Sequence, residues 1–365
     1  MISGSRFPGP GRPRRRPTPS PLAPEHRPRR RRWPALVGLL VVLALLAVEA
    51  GRAVIPPRAL RSGPRTVEIP PQQGLLDVAR TLVDAGVIRS RLAFVALAVL
   101  RGTARSLKAG EYEVPQGASL LTTLQLIEAG KVKPHLIVLP EGFTVRELAR
   151  QLESEGIARA AEVLRVASDG FFAQSLGIEA PSLEGYLFPD TYQVTKGTRV
   201  EEVLGRMVHR FREKIAAPDV LARASARGLS LHELVTLASI IEKEAVVPEE
   251  RPLIAGVFWN RLRRDMLLQA DPTVAYAAGK EGRAPTREDL QIDHPFNTYR
   301  YRGLPPGPIA SPGRASVDAS LAPADVPYLY FVSIDDRRHH FSATLAEHNE
   351  AVTRYRASRG RTGAL

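Results

Sequence analysis

The sequence predicts an α+β protein with an N-terminal transmembrane helix, a small domain of repeated strand-helix units and a larger α+β domain that carries the chemistry. Three observations predict it. An uncharged apolar run, Trp33 to Val48, follows directly on a block of arginines. A short unit of apolar strand, Pro/Gly turn and helix recurs three times between residues 67 and 157. Further on, Leu231 to Ala245, LHELVTLASIIEKEA, has helical periodicity and a carboxylate inside its apolar arc.

The chain has 365 residues, enough for two or three domains, and a formal charge of +13. That charge is localised. Residues 1–32 hold ten arginines against the single acid Glu25, so +9 of the +13 sits there and the remainder is near balance. A Pro/Arg-rich stretch with almost no large apolar side chains cannot bury a core, and residues 1–32 are expected to be a disordered basic tail. A single aromatic residue, Phe7, stands among its arginines, too few to stack on successive bases, which argues against nucleic acid as a partner. The run that follows, Trp33 to Val48, is 16 residues long, and a bilayer needs about 20. Extension to Ile55, with Glu49 and Arg52 snorkelling at the interface, makes residues 33–55 a transmembrane anchor. Arginines before it and a near-neutral chain after it place the N-terminus in the cytoplasm and the rest outside, by the positive-inside rule. A cleaved signal peptide is the rival, since Val48-Glu49-Ala50 resembles a cleavage site. The sequence has no cysteine, which an oxidising compartment tolerates.

The repeats come next. Val67-Glu-Ile-Pro leads to Gly74 and a helix; Tyr112-Glu-Val-Pro-Gln-Gly117 leads to a second, and Ile137-Val-Leu-Pro-Glu-Gly142 to a third. Each helix runs about a dozen residues and closes on glycine, the stop signal expected of a helix C-terminus. Such units resemble LysM modules, small glycan-binding domains of a two-stranded sheet and helices. The region is bounded at 65–160, with the catalytic domain over 161–355 and a short tail over 356–365.

In the helix from Leu231 to Ala245, 100° per residue gathers Leu231, Leu234, Val235, Leu237, Ala238, Ile241 and Ala245 into one arc. Glu242 falls inside it. Glu244 lies at its margin, where a structural ion pair is the expected role, and Lys243 points away. A carboxyl group facing packed apolar side chains has its charged form disfavoured, which suits it to hold and donate a proton. Downstream lie two clusters rich in side chains that hydrogen-bond sugars, Leu268-Gln-Ala-Asp-Pro-Thr-Val274 and His294-Pro-Phe-Asn-Thr-Tyr299. The helix is therefore expected to overlook a polar cleft.

Taken in order, Leu183-Glu-Gly-Tyr-Leu-Phe-Pro-Asp-Thr-Tyr192, Ala238-Ser-Ile-Ile-Glu242-Lys-Glu-Ala, Val257-Phe-Trp-Asn260-Arg-Leu, Leu268-Gln-Ala-Asp271-Pro-Thr-Val, Phe296-Asn-Thr-Tyr299, Gly303-Leu-Pro-Pro-Gly-Pro-Ile309 and Tyr328-Leu-Tyr-Phe-Val332 form a signature. Over residues 67–355 it resembles the endolytic murein transglycosylase family, also called YceG-like or MltG. The resemblance implies a membrane-anchored enzyme that cuts nascent peptidoglycan within the strand and leaves 1,6-anhydro-muramyl ends. It implies that the catalytic acid is the first glutamate of Ile-Ile-Glu-Lys-Glu, Glu242, the residue that helical periodicity selects as well. His294-Pro-Phe-Asn stands where the family often has Ser-Pro-Tyr-Asn, so no contact from that tyrosine hydroxyl is expected.

Hydrolytic glycosidases generally use two carboxylates. A lytic transglycosylase can work with one, which protonates the glycosidic oxygen and then takes the proton of the sugar's own C6 hydroxyl. No metal or cofactor is expected. Gln269 and Asp271 are expected to position the sugar or orient the acid, and Asn297 and Tyr299 to bind glycan hydroxyl or acetamido groups. Glu244 and Asp271 are the candidate second carboxylates. His339, His340 and His348 with Glu347 are residue types that ligate metals, but adjacent histidines on a strand face opposite ways and no open three-ligand geometry is evident. The resemblance makes His340, Glu347 and Asn349 supports of the cleft, and Gly303 to Pro312 reads as its wall. Peptidoglycan strands, the membrane and peptidoglycan synthases are the expected partners. A non-catalytic peptidoglycan-binding scaffold of the cell-wall synthesis machinery is the alternative.

Overall fold

The protein is described by a computed structural model that covers residues 33–54, 56–57, 60, 62–335 and 337–362. The basic tail expected over 1–32 lies outside the described residues. The chain divides into two units, 1–52 and 53–365. In the first, helix α1 (Trp33–Val54) runs for 22 residues with Leu39, Leu40, Leu43 and Leu45 exposed. Among the described residues no helix is long and apolar enough to cross a membrane. The span expected over 33–55 therefore rests on its sequence alone.

The second unit is α+β. Its first strands, β1 (Arg65–Ile69) and β2 (Gly110–Val114), pair antiparallel with Val67 opposite Tyr112. Period-two alternation turns Val67, Ile69, Tyr112 and Val114 inward. Between the strands lie α2 (Leu75–Asp84) and α3 (Arg91–Leu100), and after them α4 (Leu120–Ala129), which Ser119 caps. Val78, Leu82, Phe94, Leu124 and Ile127 from these helices share one core with the strands. The first two repeats are thus packed on each other.

The third repeat packs elsewhere. Its strand β3 (His135–Val138) pairs with β4 (Thr191–Val194), which starts on the last two residues of the LEGYLFPDTY segment. Its helix α5 (Val145–Ser154) begins in a capping box between Thr144 and Glu147. Together with α6 (Ala160–Ala167), α7 (Gly170–Ser175), α8 (Val200–Lys214) and α9 (Pro218–Ala226), it surrounds a second core that includes Leu148, Leu152, Val163, Leu204 and Phe211. Glu111 on β2 ties the two sheets, meeting His135 Nε2 at 2.8 Å and Lys196 Nζ at 3.1 Å.

Helix α10 (Leu231–Glu244) contributes to both later cores. Leu234, Val235 and Ala238 enter the second core, whereas Leu237, Ile240 and Ile241 enter a third. A helix buried on opposite faces must satisfy its polar side chains internally. Ser239 does so by donating to Thr236 O at 2.7 Å and accepting from Ile309 N–H at 3.1 Å. The third core also takes residues from α11 (Arg251–Arg263), packed beside α13 (Arg314–Leu321), while α12 (Asp271–Ala277) packs against α10. The hairpin of β5 (Tyr330–Ser333) and β6 (His339–Ser342) and the long α14 (Leu345–Thr362) close the chain.

Gly185, inside LEGYLFPDTY, has φ +82° and faces the Pro308 ring, with Val235 Cγ1 at 3.2 Å from where a Cβ would stand. Alanine there would meet both left-handed strain and overpacking. Gly185→Ala is expected to cost about 2–4 kcal/mol, which thermal unfolding would read as a fall in Tm of about 4–12 °C. An unchanged Tm would mean that the Pro308 loop yields freely.

Candidate active site

The capping box of Ser230 and Glu233, with N–H to side-chain oxygen bonds of 2.8 and 3.2 Å, starts α10 and so sets the phase in which its last turn presents two carboxylates. Their surroundings reverse the expectation drawn from periodicity. The Glu242 side chain is 5% exposed, but it does not rest against apolar groups alone. Its Oε1 accepts from Arg251 Nη2 at 3.2 Å and its Oε2 from Gly313 N–H at 2.9 Å. Arg251 stands nine residues further along the chain, on the next helix. The expected apolar setting of Glu242 is thereby corrected, because the arc it shares with leucines packs onto an arginine and a helix N-terminus.

Glu244 takes the environment expected of its neighbour. It stands between two cavities and has no ion-pair partner among the described residues, so the ion pair expected of it is not formed. Desolvation by the surrounding protein, reinforced by the Asp271 charge and opposed by the Arg261 guanidinium, pushes its carboxyl up to about 8. Near neutral pH it holds a proton. The larger cavity, about 360 Å³, is lined by Thr144, Lys243, Glu244, Asp271 and Tyr276 among others. The smaller, about 220 Å³, is lined by Glu244, Arg261, Gln269, Asp271, Tyr299 and His339 among others. Glu244 and Asp271 line both.

The structure thus brings Gln269, Asp271 and Tyr299 together around Glu244. Tyr299 donates its hydroxyl to Asp271 Oδ1 at 2.6 Å. Gln269 is held in the left-handed region at φ +49°, its N–H donating to Thr298 O at 3.1 Å, a strained conformation of the kind that gathers at functional sites. Asn297 and His340 are placed elsewhere. Asn297 is fully buried and spends its amide on its own loop, donating to Leu290 O at 3.1 Å and Ile292 O at 2.8 Å and accepting from Tyr299 N–H at 3.0 Å. It shapes the loop that presents Tyr299. His340 is exposed and lines a separate cavity with Ile334, Arg354 and Tyr355. Its neighbour His339 is the one at the Glu244 cavity, held by Glu250 through Nδ1 at 2.7 Å and N–H at 3.0 Å. Among the described residues no group of three His, Asp or Glu stands close enough to hold a metal ion.

Three supports escape sequence reasoning. Tyr186 of LEGYLFPDTY meets His232 Nδ1 at 2.6 Å, and His232 Nε2 meets Pro306 O at 2.7 Å. Since the carbonyl can only accept, Nε2 carries the hydrogen and the tyrosine hydroxyl donates to Nδ1, pinning the proline loop to α10. Glu184, buried and pushed up to about 7 by desolvation, accepts from Val145 N–H at 3.0 Å and from the Tyr276 hydroxyl at 3.3 Å. Arg261, only 7% exposed, donates to Leu329 O at 2.6 Å and Leu268 O at 2.7 Å. A polar motif gives no hint of which acceptors its arginine will meet, because those carbonyls belong to other segments.

A family model described as the YceG-like family matches residues 67–354. An endolytic murein transglycosylase of Bacillus subtilis (strain 168) is 34% identical over 309 residues, covering 80% of this chain and 85% of that protein. One from Streptococcus pneumoniae serotype 2 is 30% identical over 323 residues, covering 80% of this chain and 58% of that longer protein. A crystal structure of a yceG-like protein from Listeria monocytogenes shares 36% identity at a TM-score of 0.57, covering 79% of this chain and 98% of that one.

Proposed function

The chain belongs to the YceG-like family, and from that premise we infer that it is an endolytic murein transglycosylase, a lyase acting within peptidoglycan glycan strands. One observation carries the chemistry. A carboxyl group that holds its proton near pH 7 stands where two cavities meet, so a strand laid through both presents an internal bond to an acid.

In this reading Glu244 is the general acid. It gives its proton to the oxygen joining N-acetylmuramic acid to N-acetylglucosamine. As that C1–O bond breaks, the muramyl C6 oxygen bonds to C1, and the Glu244 carboxylate takes the C6 hydroxyl proton. The acid is restored and no water is consumed. The hydrogen bond from Tyr299 to Asp271 keeps a second carboxylate occupied at the same junction, and Gln269 presents an amide to the sugar in the smaller cavity. Glu242, the residue favoured by the family resemblance, here stabilises the turn between α10 and α11 through Arg251.

The finer parts of the reading rest on sequence. Residues 33–55 anchor the enzyme, the arginine block keeps the N-terminus cytoplasmic, and the body works outside the membrane beside peptidoglycan synthases. The β1-α2-α3-β2 unit, similar in element order to LysM modules, holds the strand.

The test is mass spectrometry of uncrosslinked strands digested by the full-length chain in detergent. Fragments lighter by one water than hydrolysis products are expected. Fragments that have gained water would make the enzyme a hydrolase and require a second carboxylate, and no fragments at all would favour a binding protein.

A further inference from the structure

The larger cavity carries two cations that a neutral sugar chain does not call for. Lys243 and Arg283 both line it, and neither forms an ion pair among the described residues. Lys243 Nζ spends one hydrogen on Gly142 O at 3.1 Å. Arg283 is exposed on the turn after α12, where Gly282 takes φ +77°. The acids of the same cavity offset them only in part. Glu281 is paired with Arg146, the carboxyl of Glu244 is pushed up by burial, and Asp271 keeps its charge but turns Oδ1 to the hydroxyl of Tyr299, which lines the smaller cavity.

N-acetylglucosamine and N-acetylmuramic acid joined in a strand carry no charge, the lactyl carboxyl being amide-linked to the stem peptide. The negative charge of murein lies on the free carboxylates of that stem. We propose that the larger cavity is the site for the acidic peptide stem of the muramyl residue beside the cut, with Arg283 and Lys243 receiving its carboxylates. The substrate is then peptide-bearing rather than stripped glycan. This rests on the murein reading above. Charge-assisted bonds of this type are the stronger ones, though at the exposed Arg283 they remain sensitive to salt.

The test compares three substrates with the full-length protein in detergent. They are uncrosslinked strands with acidic stems, the same strands with stem carboxylates amidated, and strands stripped of peptide by an amidase, which leaves a lactyl carboxylate on the sugar but no stem to enter the cavity. The value of kcat/KM for anhydro ends is expected to favour acidic stems about five- to tenfold over either of the others. Arg283→Ala should reduce that ratio to below about twofold, Arg283→Lys should restore most of it, and half-molar salt should narrow it. Equal cutting of amidated and acidic strands, or a ratio unmoved by Arg283→Ala, would overturn the proposal. Calorimetric binding of the three strands to the Glu244→Gln protein reads the same preference without turnover. A binding preference with no anhydro ends from the wild type would then sink the lytic reading alone.

Discussion

Replacement of Glu244 by glutamine is expected to lower the rate of anhydro-end formation by about a thousandfold or more, with strand binding within about threefold of wild type. Glutamine keeps the volume and a hydrogen-bonding group but has no proton to give to a leaving oxygen. Glu242→Gln is expected to behave in the opposite way. It exchanges an anion held by Arg251 and Gly313 N–H for a neutral amide, and leaves a guanidinium only 13% exposed with Glu141 at 3.9 Å as its remaining counter-charge. Breaking a buried pair on one side costs about 3–5 kcal/mol, and Glu141 offsets part of that. The Glu242→Gln protein should therefore melt several degrees lower and, below its melting range, still cut strands. Anhydro ends counted by mass spectrometry beside a thermal melt separate the two. Full activity in Glu244→Gln with none in a folded Glu242→Gln would return the role to Glu242.

The pH profile carries the same assignment. A general acid works while it holds its proton, and burial pushes the Glu244 carboxyl up to about 8. Wild-type kcat/KM should therefore stay level through neutral pH and fall as pH rises past about 8. A fall centred near pH 4 to 5 would place the working group in ordinary solvent and exclude Glu244.

What the sequence made legible, and what it hid, follows from the distance between partners. The helix over Leu231–Glu244 was readable because its cap, Ser230 with Glu233, and its apolar period are local. So was the grouping of Gln269, Asp271 and Tyr299, since two short polar motifs carry all three. Which glutamate of Glu-Lys-Glu faces the cavity was not readable. Periodicity places side chains on a helix face but cannot say what packs there, and Gly313, whose N–H occupies Glu242, comes 71 residues later. The third repeat shows the same limit. Its strand looks like the other two, yet it pairs with Thr191–Val194 beyond the repeat region. Asn297 has the composition of a sugar contact, but its amide closes its own turn on Leu290 and Ile292. The residue type was informative and its direction was not.

Arg261→Met is expected to lower kcat/KM about a hundredfold, and its pH profile should show why. Arg261 is a buried cation with no carboxylate within ion-pair reach among the described residues. It is held instead by the carbonyls of Leu267, Leu268 and Leu329, by Gln269 Oε1 at 3.4 Å and by the Tyr330 ring at 5.2 Å. Burying a guanidinium is costly, so the arrangement points to work done at the site. It joins the Leu267–Gln269 segment to the strand that follows Leu329, and through Gln269 it fixes the wall of the smaller cavity. Displacing such a wall by about 1 Å can cost a hundredfold. It also opposes the desolvation of Glu244. Methionine fills the space but leaves those carbonyls without donors, at about 1–3 kcal/mol for each that water cannot reach. With the cation gone the Glu244 carboxyl is pushed still higher, so the alkaline fall in kcat/KM should move above that of the wild type even as the rate drops. Arg261→Lys keeps the charge without the fork. It should return the limb towards its wild-type position and recover only part of the rate. A limb that stays in place in Arg261→Met would reduce Arg261 to packing, and a shift to lower pH would contradict the role assigned to its charge.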